Sequence, residues 1–554
     1  MANSASMTQP ADAITKAIAE DLHRRYVALE QRNAALEQQI VALHKYNEEL
    51  VAKVRWLEEQ FHLARHRQFG ASSERTPVEQ RSLLFNEAEA EADTAPPPEK
   101  EQSEATGKPA RRRKARGHRE AMLKDLPVET VEHRLPEDQR ICPACGGPLH
   151  EMSTEVRQEL VIIPAQAKVI EHVRHIYGCR HCEREEVAAS IVPAPMPAPV
   201  IPGSLASPSA IAHVMTQKFV EGLPLYRQEQ QFERLGIELS RQTLANWMIL
   251  AGDRWLRPVY ERLRQHLLQH DILHADETTV QVLHEPGRAA QTQSYFWQYR
   301  TGREGLPIIL FDYQRTRAGE HPRSFLQGFS GYLHVDGYSG YEGVPNVTLV
   351  GCWAHARRKF DEALQALPPS AAHPDKPVAA QVGLEFCNRL FAIERKLAQA
   401  TPEERYAARL ERSQPVLEEF HTWLERQAAC TLPKSVLGQA VQYCLNQWTK
   451  LTAFLKDGRL ELDNNRSERA IKQLVIGRKN WLFANTPRGA RTSAIIYSIV
   501  VTAAENGLNP LAYLTYLLAR LPNMDVGNPA ALDDLLPWSA NLPAACRMPA
   551  TATA

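Results

Sequence analysis

No stretch of this chain approaches the roughly 20 consecutive apolar residues that a membrane-spanning helix needs, which excludes a helical membrane protein. The N-terminus, MANSASMTQPADAITKAIAEDL, lacks a basic segment followed by an apolar core, so no secretion is expected. Cysteine is scarce: nine in 554 residues cannot make a disulfide scaffold. Four of them stand at metal-binding spacing, while Cys352, Cys387, Cys430, Cys444 and Cys546 are scattered, as expected of a reduced, cytoplasmic protein. Net charge is also missing, with 65 basic against 65 acidic residues, which argues against a wholly basic, histone-like DNA binder. No internal repeat is visible. At this length about three or four domains are expected.

What is present is unevenly placed. Six leucines recur at every seventh position: Leu22, Leu29, Leu36, Leu43, Leu50 and Leu57. With these at d, the a positions are Tyr26, Asn33, Ile40, Asn47, Val54 and Phe61, and asparagine at a favours a parallel pair in register. The pairs Arg25–Glu30, Arg32–Glu37 and Lys53–Glu58 would then match opposite charges across a dimer. Residues 20–64 are expected to form a leucine-zipper coiled coil, giving a homodimer or higher assembly through 22–57. The other reading is an amphipathic helix docked on its own protein. Residues 86–119 begin as an acidic, Ala/Pro-rich linker and end in a basic run. Arg111, Arg112, Arg113 and Lys114 lie in that run and suit sequence-independent phosphate binding.

Cys142 and Cys145, in ICPACGGPL, and Cys179 and Cys182, in YGCRHCE, offer four thiolates from two tight turns. Such a set fits tetrahedral, structural Zn2+ and leaves no open position for catalysis. Residues 120–190 are therefore expected to be a small zinc-binding β module, set off by the proline-rich VPAPMPAPVIPGSLASP. Residues 205–268 read as helical. Within them LPLYRQEQQFERLGIELSRQTLANWM gives a helix, a turn at Gly236, an N-cap at Ser240 and a second helix. That layout fits a helix-turn-helix presenting Arg241, Gln242 and Asn246 to a groove. It also fits a helical hairpin packed through Leu235, Leu239, Leu244 and Trp247.

Strand-like runs follow: ILHADETTVQVL, YFWQYR, PIILFDY, GYLHVD and VTLVG. Alternation puts His274, Asp276 and Thr278 on one strand face and Glu277 on the other. Asp336 ends another strand before a glycine. A third acid is expected from ELDNNRSERAIK, where Asp463 suits an N-cap and Glu468 falls one turn later. Turn or cap roles for the aspartates, and an i,i+4 pair of Glu468 with Lys472, are the competing assignments. Two acids on neighbouring strand ends with a third from a helix can hold two divalent metals for phosphodiester chemistry, and Mg2+ suits such oxygen ligands.

The ordered set HADET, HVDGYSGY, GCWAHARRKF and LDNNRSERAIK…GRKNWLF resembles the transposases of the insertion-sequence-66 family. CPACGG with CRHC, LPLYRQEQ…RLGIELSRQTLANW and DDLLPW at 533–538 agree with it. The resemblance implies a multidomain α/β protein with a ribonuclease H-like core over 269–500, a helical insertion at about 377–455, and a C-terminal helical segment and tail at 501–554. It implies a DDE triad at Asp276, Asp336 and Glu468. With Mg2+ the triad would cut double-stranded DNA at the element's inverted repeats and transfer 3′-hydroxyls into target DNA. Cys352 and His355 resemble a Cys-x-x-His signature of some DDE transposases, as a positioning pair near the metals or a buried pair. Arg357, Arg358 and Lys359 follow as phosphate ligands or a solvated face, and Arg478, Lys479 and Trp481 as a grip on end DNA. Small accessory proteins of the same element are implied as partners. The alternatives are a non-catalytic zipper and zinc regulator, and a ribonuclease H-type nuclease without strand transfer.

Overall fold

The computed structural model describes residues 9–69, 166–178, 191–367 and 378–549, in two compact units. Cys142, Cys145, Cys179, Cys182 and the 86–119 segment lie outside the described residues. In the smaller unit β1 (Ile176–Gly178) pairs antiparallel with β2 (Ile191–Pro193). Arg174 Nε donates to the Ala194 carbonyl at 2.7 Å beside this ladder.

The larger unit begins with α1 (Gln9–Phe69), one unbroken helix on which all six heptad leucines are exposed. Four helices follow the proline-rich stretch: α2 (Pro208–Phe219), α3 (Leu225–Arg234), α4 (Arg241–Ala251) and α5 (Arg257–Leu267). Ser207 caps α2 and Ser240 caps α4, each hydroxyl accepting a first-turn N–H. On α4, Leu244 and Trp247 are buried while Arg241, Gln242 and Asn246 are exposed. The backbone N–H of Arg241 donates to Glu229 Oε1 at 2.9 Å, fixing the start of α4 against α3.

A mixed five-stranded sheet forms the centre, in the order β5–β4–β3–β6–β7. The strands are β3 (Ile272–Gln281), β4 (Gln293–Thr301), β5 (Ile309–Gln314), β6 (Gly331–Val335) and β7 (Val347–Gly351). β4 runs antiparallel to both of its neighbours, β3 and β5, and β6 and β7 continue parallel to β3. α6 (Glu320–Phe325) lies between β5 and β6 in the chain. Beyond β7 come α7 (Trp353–Gln365), α8 (Ala379–Lys396), α9 (Pro402–Cys430) and α10 (Val436–Asn446). These pack around Trp353, Phe360, Phe420 and Cys444. Buried Arg409 ties the group together, pairing with Glu394 at 2.8 Å and donating to the carbonyls of Phe454, Asp457 and Leu460. α11 (Asn465–Trp481), α12 (Pro487–Glu505), α13 (Pro510–Arg520) and α14 (Pro529–Asp533) complete the unit.

The exposed edge of β5 is a hazard that α12 removes. Ser498 and Thr502 accept the N–H groups of Phe311 and Ile309 at 2.8 and 3.0 Å, so the helix satisfies donors that would otherwise recruit another strand. Asp533 receives Arg262 through two 2.6 Å bonds and His266 at 2.9 Å, fastening α14 to α5. These bonds hold the Asp533 carboxyl down at about 2.

Asp312 on β5 goes the other way: burial pushes its carboxyl up to about 6, against one opposing bond from Gln314. Its proton is therefore held more tightly in the folded chain. That contribution is full below the unfolded value of about 4 and is lost as pH rises through about 6. Asp312→Asn is expected to stabilise the fold at pH 7 by about 3 kcal/mol, the gain shrinking towards pH 4. Melting temperatures at the two pH values check this; equal shifts at both would contradict it.

Candidate metal-binding site

Asp276 stands midway along the central strand β3. Asp336 follows the last residue of β6, the parallel neighbour of β3, and Glu468 lies in the first turn of α11, which packs on β3 and β4. The structure brings the three acids into one electrostatic neighbourhood. Burial pushes the Asp276 carboxyl well above the usual range; the charges of Glu277, Asp336 and Glu468 add to the rise, against one bond from the Glu277 N–H. Such a donor set fits a cation.

Two of the acids, Asp336 and Glu468, face groups from outside the triad. Asp336 Oδ1 accepts the Tyr338 N–H at 2.8 Å, and its other oxygen lies 3.9 Å from Arg317. Gly337 is needed at this turn because a Cβ would sit 2.7 Å from the Tyr443 ring. The Arg317 guanidinium stacks 3.9 Å over Tyr338 and grips Glu277, whose other oxygen accepts the Tyr341 hydroxyl at 2.5 Å. Glu277 thus anchors the Asp336 loop to β3. Glu468 faces His355 at 3.9 Å and Arg358 at 4.0 Å rather than Lys472. Both His355 Nδ1 and Glu468 Oε1 are buried atoms without a hydrogen-bond partner, as expected where a cation or water belongs.

Cys352, His355 and Glu468 place one ligand atom each within 4.8 Å of one another; among the described residues they are the set that does so. Asp276, Asp336 and Glu468 do not form such a set. The Cys352 thiol is a poor ligand: burial pushes it up to about 12, and its sulfur accepts the Asn464 N–H at 3.2 Å. His355 is the better donor of the two.

Behind the acids lies a buried clamp. Asn464 donates its amide to the Ala275 carbonyl at 2.9 Å, and its Oδ1 accepts from His274 Nδ1 at 2.8 Å. His274 Nε2 lies 3.0 Å from Glu461, and its ring stacks on His334 with centroids 4.1 Å apart. Burial alone would raise the Glu461 carboxyl, but His274 and Arg466 together hold it well below the usual range. The helix-cap expectation shifts by one residue here. α11 starts at Asn465 with Asn464 at the cap position, its amide committed to the strand, and Asp463 instead accepts the Asn465 N–H at 3.0 Å.

The remaining sequence candidates are placed less openly. Arg478 donates to the hydroxyls of Thr278 and Thr279 at 3.3 and 3.1 Å, while Lys479 is exposed. Trp481 turns its indole N–H inward to Tyr497 at 3.3 Å. Arg357 reaches Asn388, and the Lys359 ammonium lies 4.9 Å from the Tyr443 ring. Sequence reasoning missed Arg317, His274 and Asn464 as supports. Glu277 was recognisable only as the acid beside Asp276.

Comparison with known proteins adds the context. Residues 203–492 match the model described as "Transposase IS66 family". Residues 139–183, spanning all four paired cysteines, match the "zinc-finger binding domain of transposase IS66". Residues 56–131 match "Transposase C of IS166 homeodomain", starting where the leucine heptads end, and 498–538 match the "IS66 C-terminal element". In Sinorhizobium fredii, "Uncharacterized protein y4hP" is 35% identical over 74% of this chain and 74% of its own length. "Uncharacterized protein y4jD" is 32% identical over 73% of this chain and 79% of its own. "Uncharacterized protein y4qI" is 30% identical over 97% and 98% respectively. Matches that run from the zinc finger through the acid-bearing sheet to the C-terminal helices, in one order along one chain, place this protein in the IS66 family of transposases.

Proposed function

We propose that the chain is a DDE transposase whose triad is Asp276, Asp336 and Glu468, carried on a ribonuclease H-like core. The observation that supports it most is the sheet. Three antiparallel strands continue into two parallel ones, with one acid on the central strand, one at the end of its parallel neighbour, and one on the packed helix. Divalent cations, Mg2+ by donor type, would be held by these three carboxylates, and would activate a water or 3′-hydroxyl and stabilise the leaving oxygen. The chain's own groups prepare the place. Arg317 and the Tyr338 N–H orient Asp336, and the Asn464–His274 clamp sets β3 against α11. His355 and Arg358 face Glu468 and stand ready for a phosphate or a bound water.

Around this core we assign DNA recognition to the zinc module with Zn2+ on Cys142, Cys145, Cys179 and Cys182, and to the exposed face of α4 at Arg241 and Gln242. Arg111, Arg112, Arg113, Lys114 and Lys479 would add phosphate affinity. The exposed leucines of α1 are the surface that a second copy would cover, so that two element ends are held by one dimer. Accessory proteins of the element would join at this stage, on nucleoid DNA in the cytoplasm.

The test is an assay of the full chain on DNA carrying its gene's own flanks, with and without Mg2+. Metal-dependent cuts at inverted repeats together with joined products are expected. Cuts without joining would favour a nuclease. Binding that never leads to cutting, even with the products of neighbouring genes added, would favour a regulator.

A further inference from the structure

The far end of α11 carries a feature that the triad does not use. After Trp481 the chain makes a three-residue turn, closed by the Phe483 N–H on the Trp481 carbonyl at 2.8 Å. Its central residue, Leu482, has φ 64° and ψ −51°. A side chain at such φ is strained, and glycine would be at ease there. The turn is nevertheless clamped on both sides. The Leu482 N–H donates to the Arg478 carbonyl at 2.7 Å, and Ala484 bridges to the end of β3 through Gln281 and Leu283 at 2.9 and 3.0 Å. The result is two large apolar side chains pushed into solvent, Leu482 at 63% and Phe483 at 43% exposure. Trp481, by contrast, is turned inward.

The surroundings identify the occupant. Positions 468, 472, 475 and 479 share one face of α11, so Lys472 and Lys479 lead from Glu468 directly towards this turn. Both lysines are exposed, as is Arg491 on the next helix. A cationic track ending in an apolar tip complements a phosphate backbone carrying stackable bases.

We propose that Leu482 and Phe483 form a wedge that stacks on, or displaces, a nucleobase of the DNA led out of the triad along α11. This rests on the transposase assignment above. Fourteen residues of helix separate Glu468 from Leu482, about 21 Å of rise. That length corresponds to about six base-pair steps, so the wedge meets the duplex within about six base pairs of the scissile phosphate.

The experiment places 2-aminopurine singly at each of the ten positions on either side of the cut in duplex flank DNA. The Asp336→Asn chain is added with Mg2+, so that binding is read without cutting. A several-fold fluorescence rise is expected at one or two adjacent positions, and it should vanish when Leu482→Gly and Phe483→Ala are added. In the Asp336-intact background the same pair should cut about tenfold more slowly. Leu482→Gly relieves the strained turn, so its melting temperature should hold or rise while cutting falls. A purely structural role predicts the reverse. Normal cutting by the double variant, or no fluorescence change at any position while the wild type cuts, overturns the wedge alone. A change of oligomeric mass in the double variant with cutting intact reassigns the patch to a second copy, and overturns it too. A wild type that neither binds nor cuts, even with the products of neighbouring genes added, would remove the transposase assignment and the wedge with it.

Discussion

Asp336→Asn is expected to lower metal-dependent cutting by at least about a thousandfold, about 4 kcal/mol of barrier, with DNA affinity and melting temperature nearly unchanged. The asymmetry follows from what the carboxylate does in the fold. Its only structural bond is Oδ1 accepting the Tyr338 N–H, and an asparagine Oδ1 can accept the same hydrogen. Arg317, 3.9 Å away, keeps its stronger partner in Glu277. What the substitution removes is a negative charge and a hard oxygen at the end of β6. A cation-binding carboxylate needs both, and a turn-forming one needs neither. Single-turnover cleavage in Mg2+, a gel-shift titration and a thermal melt read the three quantities. Cutting within tenfold of wild type would remove Asp336 from the triad. Lost cutting accompanied by a large fall in melting temperature would assign it the turn role that the sequence had left open.

The elements around the site were legible for reasons that are local. The run LHADETTV ends in the β-branched residues Thr278, Thr279 and Val280, and it forms β3; GYLHVD and VTLVG likewise form β6 and β7. Ser240 was readable as a cap because its hydroxyl bonds a residue three positions on. The supports were not legible because each joins residues far apart in the chain. Asn464 bonds Ala275 across 189 residues, and no local pattern announces that its amide is committed elsewhere. Asp463 consequently looked like the cap of α11. Arg317 sits in a loop with no motif, 40 residues from the Glu277 it grips. The Glu468–Lys472 pair was a helix-surface expectation that ignored the neighbouring helix. In the fold α7 supplies His355 and Arg358 to that carboxylate instead. Trp481 was a fair candidate for stacking on a base by composition alone, but which of three successive apolar residues faces solvent depends on a turn conformation that composition does not encode. The leucine heptads show a different limit: their spacing is plain, yet a single chain holds no second copy to cover them.

The clamp behind the acids makes the second large prediction. Asn464 is 1% exposed and spans from the start of α11 to the carbonyl of Ala275, the residue just before Asp276. Asn464→Ala would leave that carbonyl and His274 Nδ1 buried without partners, a loss of about 2–4 kcal/mol. The consequence for cutting should exceed the loss of stability. Glu468 sits one turn beyond Asn464, so slack at the clamp moves one acid relative to another, and a displacement of about 1 Å can cost about a hundredfold in rate. Cutting measured well below the lowered melting temperature is therefore expected to fall about a hundredfold, with DNA affinity close to wild type. Cys352→Ser is the internal control, because a serine oxygen can still accept the Asn464 N–H. It should keep most of the rate if Cys352 only supports Asn464, and lose it if the thiol itself serves the cation. Normal cutting by Asn464→Ala in its folded temperature range would show that the strand and helix keep their spacing without the clamp. The positioning of Glu468 would then fall to His355 and Arg358.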